Sequence, residues 1–197
     1  MGAPSLVTPP PAAARARLGG PRLVGVLAAA LVAMVAVILA IDGWTEPGLR
    51  LVVRATARTS LVLFLAAFLA APLVRRWPGA FTRWLVANRR QVGLGFAISH
   101  LLHFLGLIAL GRSFPHVFAD VPAATFVVGG LGFVFVALMA LTSSDAAVAR
   151  LGRRRWSALH RTGLYYVWAV FTVTYASHAV VPTALLVAAL VVRLRGR

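Results

Sequence analysis

Cysteine is missing from all 197 residues. That excludes disulfides, zinc–thiolate sites and iron–sulfur clusters, so any redox chemistry needs heme or a bound organic cofactor. Lysine is missing as well, and all 20 basic residues are arginine. Only four acids occur: Asp42, Glu46, Asp120 and Asp145. No G-x-G-x-x-G fingerprint with a following acid is present, so nothing signals a nicotinamide- or flavin-binding domain. The N-terminal stretch is not expected to be a cleavable secretory signal, because the apolar run after Arg22 is too long and lacks a cleavage site.

What the chain does have is apolar length. It is 60% hydrophobic and 12% charged, with a mean hydropathy of +0.88. That places it in the membrane class, and its length suits one helical bundle. The net charge of +16 raises nucleic acid as a partner. The arginines instead form short clusters between apolar runs, with no basic face carrying interleaved aromatics, so nucleic acid is excluded.

Residues 1–20 are Pro/Ala-rich, with Pro9, Pro10 and Pro11 in a row, and read as a disordered tail. Residues 21–197 read as an all-α integral membrane domain of six transmembrane helices. Leu23 to Ile41 is an uncharged run of bilayer length and forms span one. Span two covers Thr59 to Val74, extended upward by Leu51 to Val53, which puts Arg54 and Arg58 in its first turns. Arg75 to Arg90 is expected to be a loop, with Trp77 and Trp84 at the interface. Span three runs from about Gln91 to Leu110, and the segment from Arg112 to His116 follows as a loop. Span four runs from about Ala123 to Leu141, with Gly129, Gly130 and Gly132 allowing close helix approach. Ser143, Ser144 and Asp145 suit the cap of a short interfacial helix. Span five lies within Leu151 to His178, and span six is Val180 to Val192. Sixteen arginines fall on the side of the termini and four on the other. Positive charge stays inside, so both termini are expected in the cytoplasm, with the chain in a bacterial cytoplasmic membrane.

Ionisable groups inside a bilayer are functional candidates. His100 and His103 lie in span three, His116 beyond it, and His160 and His178 at the two ends of span five. A heme held in a bundle needs one histidine from each of two facing helices at similar depth. Spans three and five leave the cytoplasmic side together. His103 lies about 20 Å beyond Arg90 and His160 about 8 Å beyond Arg155, at helical rise. Those depths match only if the two arginines sit at different levels, which snorkelling allows. His160 and His178 share a face but lie about 27 Å apart, so one heme cannot use both. His100 and His178 remain weaker ligand alternatives. Arg54 and Arg58 either neutralise heme propionates or anchor span two. The aromatic run Tyr165, Tyr166, Trp168, Phe171 and Tyr175 lines a cofactor or packs against neighbours, and His116 reads as interfacial.

Three motifs occur in order. The first is Arg89-Arg90-Gln91-Val92-Gly93-Leu94 leading to Leu102-His103. The second is Leu141-Thr142-Ser143-Ser144, followed by Leu151-Gly152-Arg153-Arg154, Trp156 and Leu159-His160-Arg161. The third is Ala71-Pro72-Leu73 with Arg75-Arg76. Together they resemble the ferric-reductase-like transmembrane family over roughly residues 50–178. Within that family the likeness is to heme-binding membrane subunits that serve periplasmic methionine-sulfoxide reduction. The resemblance implies a six-helix bundle, b-type heme and electron transfer across the membrane. It carries His103 over as the ligand of span three and His160 as the first ligand of span five, together gripping heme iron. The family usually places a second histidine 13 or 14 residues after the first, where this chain has Val173 and Thr174.

The chain stops at Arg197, directly after span six, so an electron donor is expected to be separate, a quinol or a cytoplasmic flavoprotein, with an acceptor on the outer side. The other reading is a heme-free structural or partner-binding membrane protein of the same fold. A transporter is disfavoured, because no broken-helix pair recurs in two halves. Electron donor, acceptor and oligomeric state stay open at this level.

Overall fold

With no water in the hydrocarbon core, backbone polar groups must pair within their own segment, which drives long apolar runs into helices. A computed structural model describes residues 18–176 and 179–195. The tail assigned to 1–20 falls almost wholly outside these residues, and His178 falls outside them altogether. The described residues are all-helical, with eight α-helices and one 3₁₀ turn and no strand.

Helix α1 spans Gly20–Asp42 and stops at Gly43, whose φ of 69° suits glycine. Helix α2, Glu46–Arg76, is capped by Thr45, whose hydroxyl accepts from the Gly48 amide at 3.1 Å. Its 31 residues make it about 46 Å long, more than the hydrocarbon core requires. It therefore runs unbroken past Arg54 and Arg58 and continues through Pro72. The expected loop after it contains a short helix, α3, Ala80–Ala87. Helix α4 covers Arg89–Ser113, and a 3₁₀ turn covers Pro115–Phe118. Helix α5 covers Ala123–Leu141. The short helix α6, Asp145–Leu151, is capped by Ser144, as the sequence suggests. Helices α7, Arg153–Ala176, and α8, Val180–Arg195, complete the chain.

Among the described residues, four helices, α1, α2, α4 and α5, are long and apolar enough to cross a membrane. Large side chains such as Val37, Val62, Val127 and Leu141 are exposed along them, a surface suited to lipid rather than water. These helices make the chain a multi-pass membrane protein. Helix α7 has the length, but arginines, tyrosines and threonines dilute its apolar character, and α8 has only 16 residues.

One core gathers α2, α4, α5, α7 and α8 around Phe64, Phe68, Phe96, Val136, Phe171 and Leu186. A second joins α1, α2, α3 and α4 through Leu23, Ala70, Leu85 and Val92. Lipid gives apolar side chains little reason to associate, so close packing and polar ties hold such bundles together. Between α2 and α4 the tie is hydroxyl-rich. Ser99 donates to the Thr56 carbonyl at 3.1 Å, and Ser60 donates to Ser99 at 3.0 Å. Close approach occurs at glycines other than those expected. Gly129 and Gly130 face open space and a Cβ on Gly132 would be in ordinary contact with Tyr166 at 3.9 Å, whereas a Cβ on Gly95 would come within 2.6 Å of Leu27. A Cβ on Gly163 would meet Met139 Sδ at 2.9 Å and Phe135 at 3.2 Å, so α5 and α7 touch there.

The arginine-rich segments gather at one end of the bundle. Gly20 N donates to Asn88 Oδ1 at 3.0 Å, and Trp84 Nε1 donates to Leu18 O at 2.7 Å. Arg90 pairs with Asp145 at 3.1 Å, tying α4 to α6. At the opposite end Trp44 Nε1 donates to Ser113 Oγ at 2.9 Å, and Glu46 holds His116 at 2.9 Å. His116 is thus an exposed residue paired with an acid, outside helix α4.

Candidate functional site

At the arginine-rich end, α2 to α8 line a cavity of about 900 Å³. Its apolar walls come from Phe64, Phe96, Val136 and Leu164, and its polar groups are His160, Arg89, Arg90, Arg161 and Arg193. Apolar walls with a few converging polar groups are the usual form of a cofactor pocket.

His160 is fixed from two sides. Trp156, one turn earlier on α7, stacks on its ring with centroids 4.2 Å apart. Thr142, just past α5, meets its Nε2 at 3.0 Å, and Trp156 Nε1 donates to the Thr142 carbonyl at 2.8 Å. The Thr142 hydroxyl also lies 2.6 Å from the Leu138 carbonyl, which can only accept. The single hydroxyl proton therefore goes to Leu138, and Thr142 accepts from Nε2–H. In this arrangement the free lone pair of His160 is on Nδ1. Thr142 and the Trp156–His160 pair are the two halves of one sequence motif, and the turn through α6 brings them together at the cavity mouth.

His100 and His103 lie at another level. His100 packs among Phe133, at 4.5 Å, Phe96, at 5.3 Å, and Phe171, at 5.9 Å between centroids, and its Nδ1 is buried without a hydrogen-bond partner. His103 Nδ1 lies 3.1 Å from the Val53 carbonyl and 3.4 Å from Thr56 Oγ1. A carbonyl only accepts, so Nδ1 carries the proton and Nε2 is free.

These contacts correct the expected pairing of His103 with His160. Phe171 is level with His100, and His160 precedes Phe171 by 11 residues on α7, about 16 Å at helical rise. Both α4 and α7 start at the cavity, so His103 is a further turn away, about 20 Å from the level of His160. Two ligands of one iron must face each other across it at one level. One heme cannot use both residues, and the snorkelling that would have evened their depths does not do so. His160 lines the cavity; His100 and His103 do not.

The other expected residues also find places. Arg54 and Arg58 are exposed on α2, away from the cavity. The cavity arginines are Arg89, Arg90, Arg161 and Arg193, of which the sequence reading had named none as a site residue. Their signal was Pro72, which leaves the Phe68 carbonyl without its helical donor, together with the arginines at the ends of α4 and α8. The aromatics of α7 mostly pack. Tyr166 donates to the Val128 carbonyl at 2.9 Å, Trp168 to the Leu186 carbonyl at 3.0 Å, and Phe171 joins the core. Val173 is 72% exposed, so the usual second-histidine position points away from the bundle.

Fold and cavity define a class: a multi-pass helical membrane protein with a histidine- and arginine-lined pocket at one end. Over 139 residues the chain is 35% identical to the protein-methionine-sulfoxide reductase heme-binding subunit MsrQ of Ralstonia nicotianae, covering 69% of this chain and 62% of that protein. The MsrQ subunit of Rhodospirillum rubrum is 35% identical over 58% of this chain and 54% of its own length. That of Deinococcus radiodurans is 31% identical over 58% and 60%. The chain is similar to these MsrQ heme-binding subunits and spans between half and two thirds of their length. No family model and no solved structure matches it.

Proposed function

We propose that the chain is a membrane electron-transfer subunit that binds b-type heme in the cavity beside His160. The observation that carries this is the cavity itself. At about 900 Å³ it falls within the size range of cofactor pockets, and it joins an imidazole, a wall of aromatic rings and cationic groups suited to carboxylates. The relatives named as heme-binding subunits support the same reading. Among the described lining residues, His160 is the one imidazole and Met139 the one thioether, and both are iron-ligand types. Bound there, heme supplies one-electron transfer.

The chain's own residues do the positioning. Thr142 fixes which ring nitrogen of His160 carries the proton. Trp156 covers one face of the ring and holds its plane. Phe64, Phe96 and Leu164 keep water from the cavity's inner wall. His103 belongs to the polar seam between α2 and α4, where it satisfies the Val53 carbonyl.

In the membrane, all six long helices cross, with α7 shielded by α5 and α8, and the arginine-rich end faces the cytoplasm of a bacterial inner membrane. The 16-to-4 distribution of arginines supports that orientation. A quinol or a separate flavoprotein then serves as donor, and a protein outside the membrane as acceptor.

A second reading, a heme-free bundle that binds a partner, draws support from the middle of the molecule. There Phe133 and Phe171 pack directly on His100, and Val173 points outward. An absorption spectrum decides between the two. Protein expressed with ample heme and purified in detergent is expected to show a Soret band, with a sharp α-band after dithionite. A flat spectrum would leave the heme-free reading standing alone.

A further inference from the structure

Proline has no backbone N–H, so Pro72 leaves the carbonyl four residues earlier, Phe68, without its helical donor. Arg193, in the last turn of α8, takes that place: its Nη1 donates to the Phe68 carbonyl. Its guanidinium lies over the Phe68 ring at 4.3 Å, and its Nε donates to the Tyr165 hydroxyl at 3.4 Å. From the start of α4, Arg89 Nε donates to the adjacent carbonyl, Ala67, at 3.1 Å. Two guanidiniums therefore sit on consecutive carbonyls of α2, and both line the cavity.

Their surroundings are short of negative charge. Among the described residues, the one carboxylate on the cavity wall is Asp145, which is paired with Arg90 at 3.1 Å and has a side chain 98% exposed. The carbonyls holding the two arginines lie eight and nine residues in from Arg76, about 12–13 Å along α2. Like charges held side by side at that depth, without an acid, are costly. A ligand with its own carboxylates relieves that cost. The neutral carbonyls and the Phe68 ring hold the guanidiniums in place, and each retains N–H groups with which to grip an oxyanion.

We propose that Arg89 and Arg193 form the anion-reading wall of the cavity and pair with carboxylates of its ligand, the propionates in the case of heme. The inference rests on the heme reading above and adds that recognition depends on acid groups at this wall. It also gives α8 a role, since the helix delivers Arg193 to the gap that Pro72 opens in α2.

The test compares hemin with hemin dimethyl ester, whose two carboxylates are blocked, by Soret titration of the purified, heme-depleted full chain. The unmutated protein is expected to bind the free acid about tenfold or more tightly. The R89Q/R193Q double variant is expected to lose that preference while still binding both forms, and R193K is expected to keep part of it. Equal affinity for acid and ester in the unmutated protein would overturn the proposal and leave heme binding intact. Binding of neither form would remove the heme reading itself. The unmutated protein alone supplies the decisive comparison, so an unstable double variant does not block the test.

Discussion

At the scale of single residues, hydrogen-bond accounting separates the histidines. His160 is held by Thr142 through Nε2 and His103 by Val53 through Nδ1, so each presents a different nitrogen. Replacing Thr142 with valine keeps the shape and removes the hydroxyl. Partners that orient a metal-ligating histidine are typically worth about 10–100-fold in affinity, so Thr142→Val is expected to weaken hemin binding within that range, read by Soret titration. Unchanged affinity would mean that Thr142 does not orient the ligand. Arg193 carries a second residue-scale prediction. Arg193→Ala leaves the Phe68 carbonyl unpaired and is expected to cost about 1–3 kcal/mol, read as a lowered Tm in detergent. Restoring the missing N–H with Pro72→Ala should shrink that penalty. A double-mutant cycle over the two sites is therefore expected to show coupling of about 0.5 kcal/mol or more, whereas strict additivity would contradict the link.

At the scale of elements, much was legible in the sequence, and the exceptions have physical causes. Apolar runs mark α1 and α5 closely, because an uncharged stretch of bilayer length leaves the backbone no other solution. Ser144 marks the start of α6 because a hydroxyl there satisfies an orphan amide. Helix α2 was harder to see, since Arg54 and Arg58 interrupt the apolar count without interrupting the helix. Helix α3 lay hidden between arginines and tryptophans. Glycine clustering in α5 suggested close packing, yet the contact with α7 falls at Gly163, where composition gives no hint. Gly163→Val is expected to destabilise the bundle by about 1–3 kcal/mol, because Phe135 blocks the added carbons even if the flexible Met139 moves. Thermal unfolding in detergent measures this, and an unchanged Tm would show that the α5–α7 contact is loose.

At the scale of the whole molecule, the chain's lack of cysteine makes topology simple to probe. Single cysteines placed at Ala119 and Ala146 lie at opposite ends of the bundle on exposed positions. With the arginine-rich end in the cytoplasm, an impermeant maleimide is expected to label Ala119→Cys in intact cells and Ala146→Cys only after the membrane is opened. The depth of the histidines shows where sequence reasoning stopped. Counting from arginines put His103 and His160 about 12 Å apart in depth, a gap that arginines sitting at different levels could close. The packing of Phe171 against His100 separates them by about 20 Å, and no sequence spacing reports which residue of one helix lies level with which residue of another. The cavity was equally invisible, because its walls come from seven helices and its cations from residues read as topology markers.

The most direct measurement is heme content per chain, by pyridine hemochrome assay, for purified His160→Ala and His103→Ala variants beside the unmutated protein. Heme is expected to be lost from the His160 variant and retained by the His103 variant. Full heme content in His160→Ala would contradict the site.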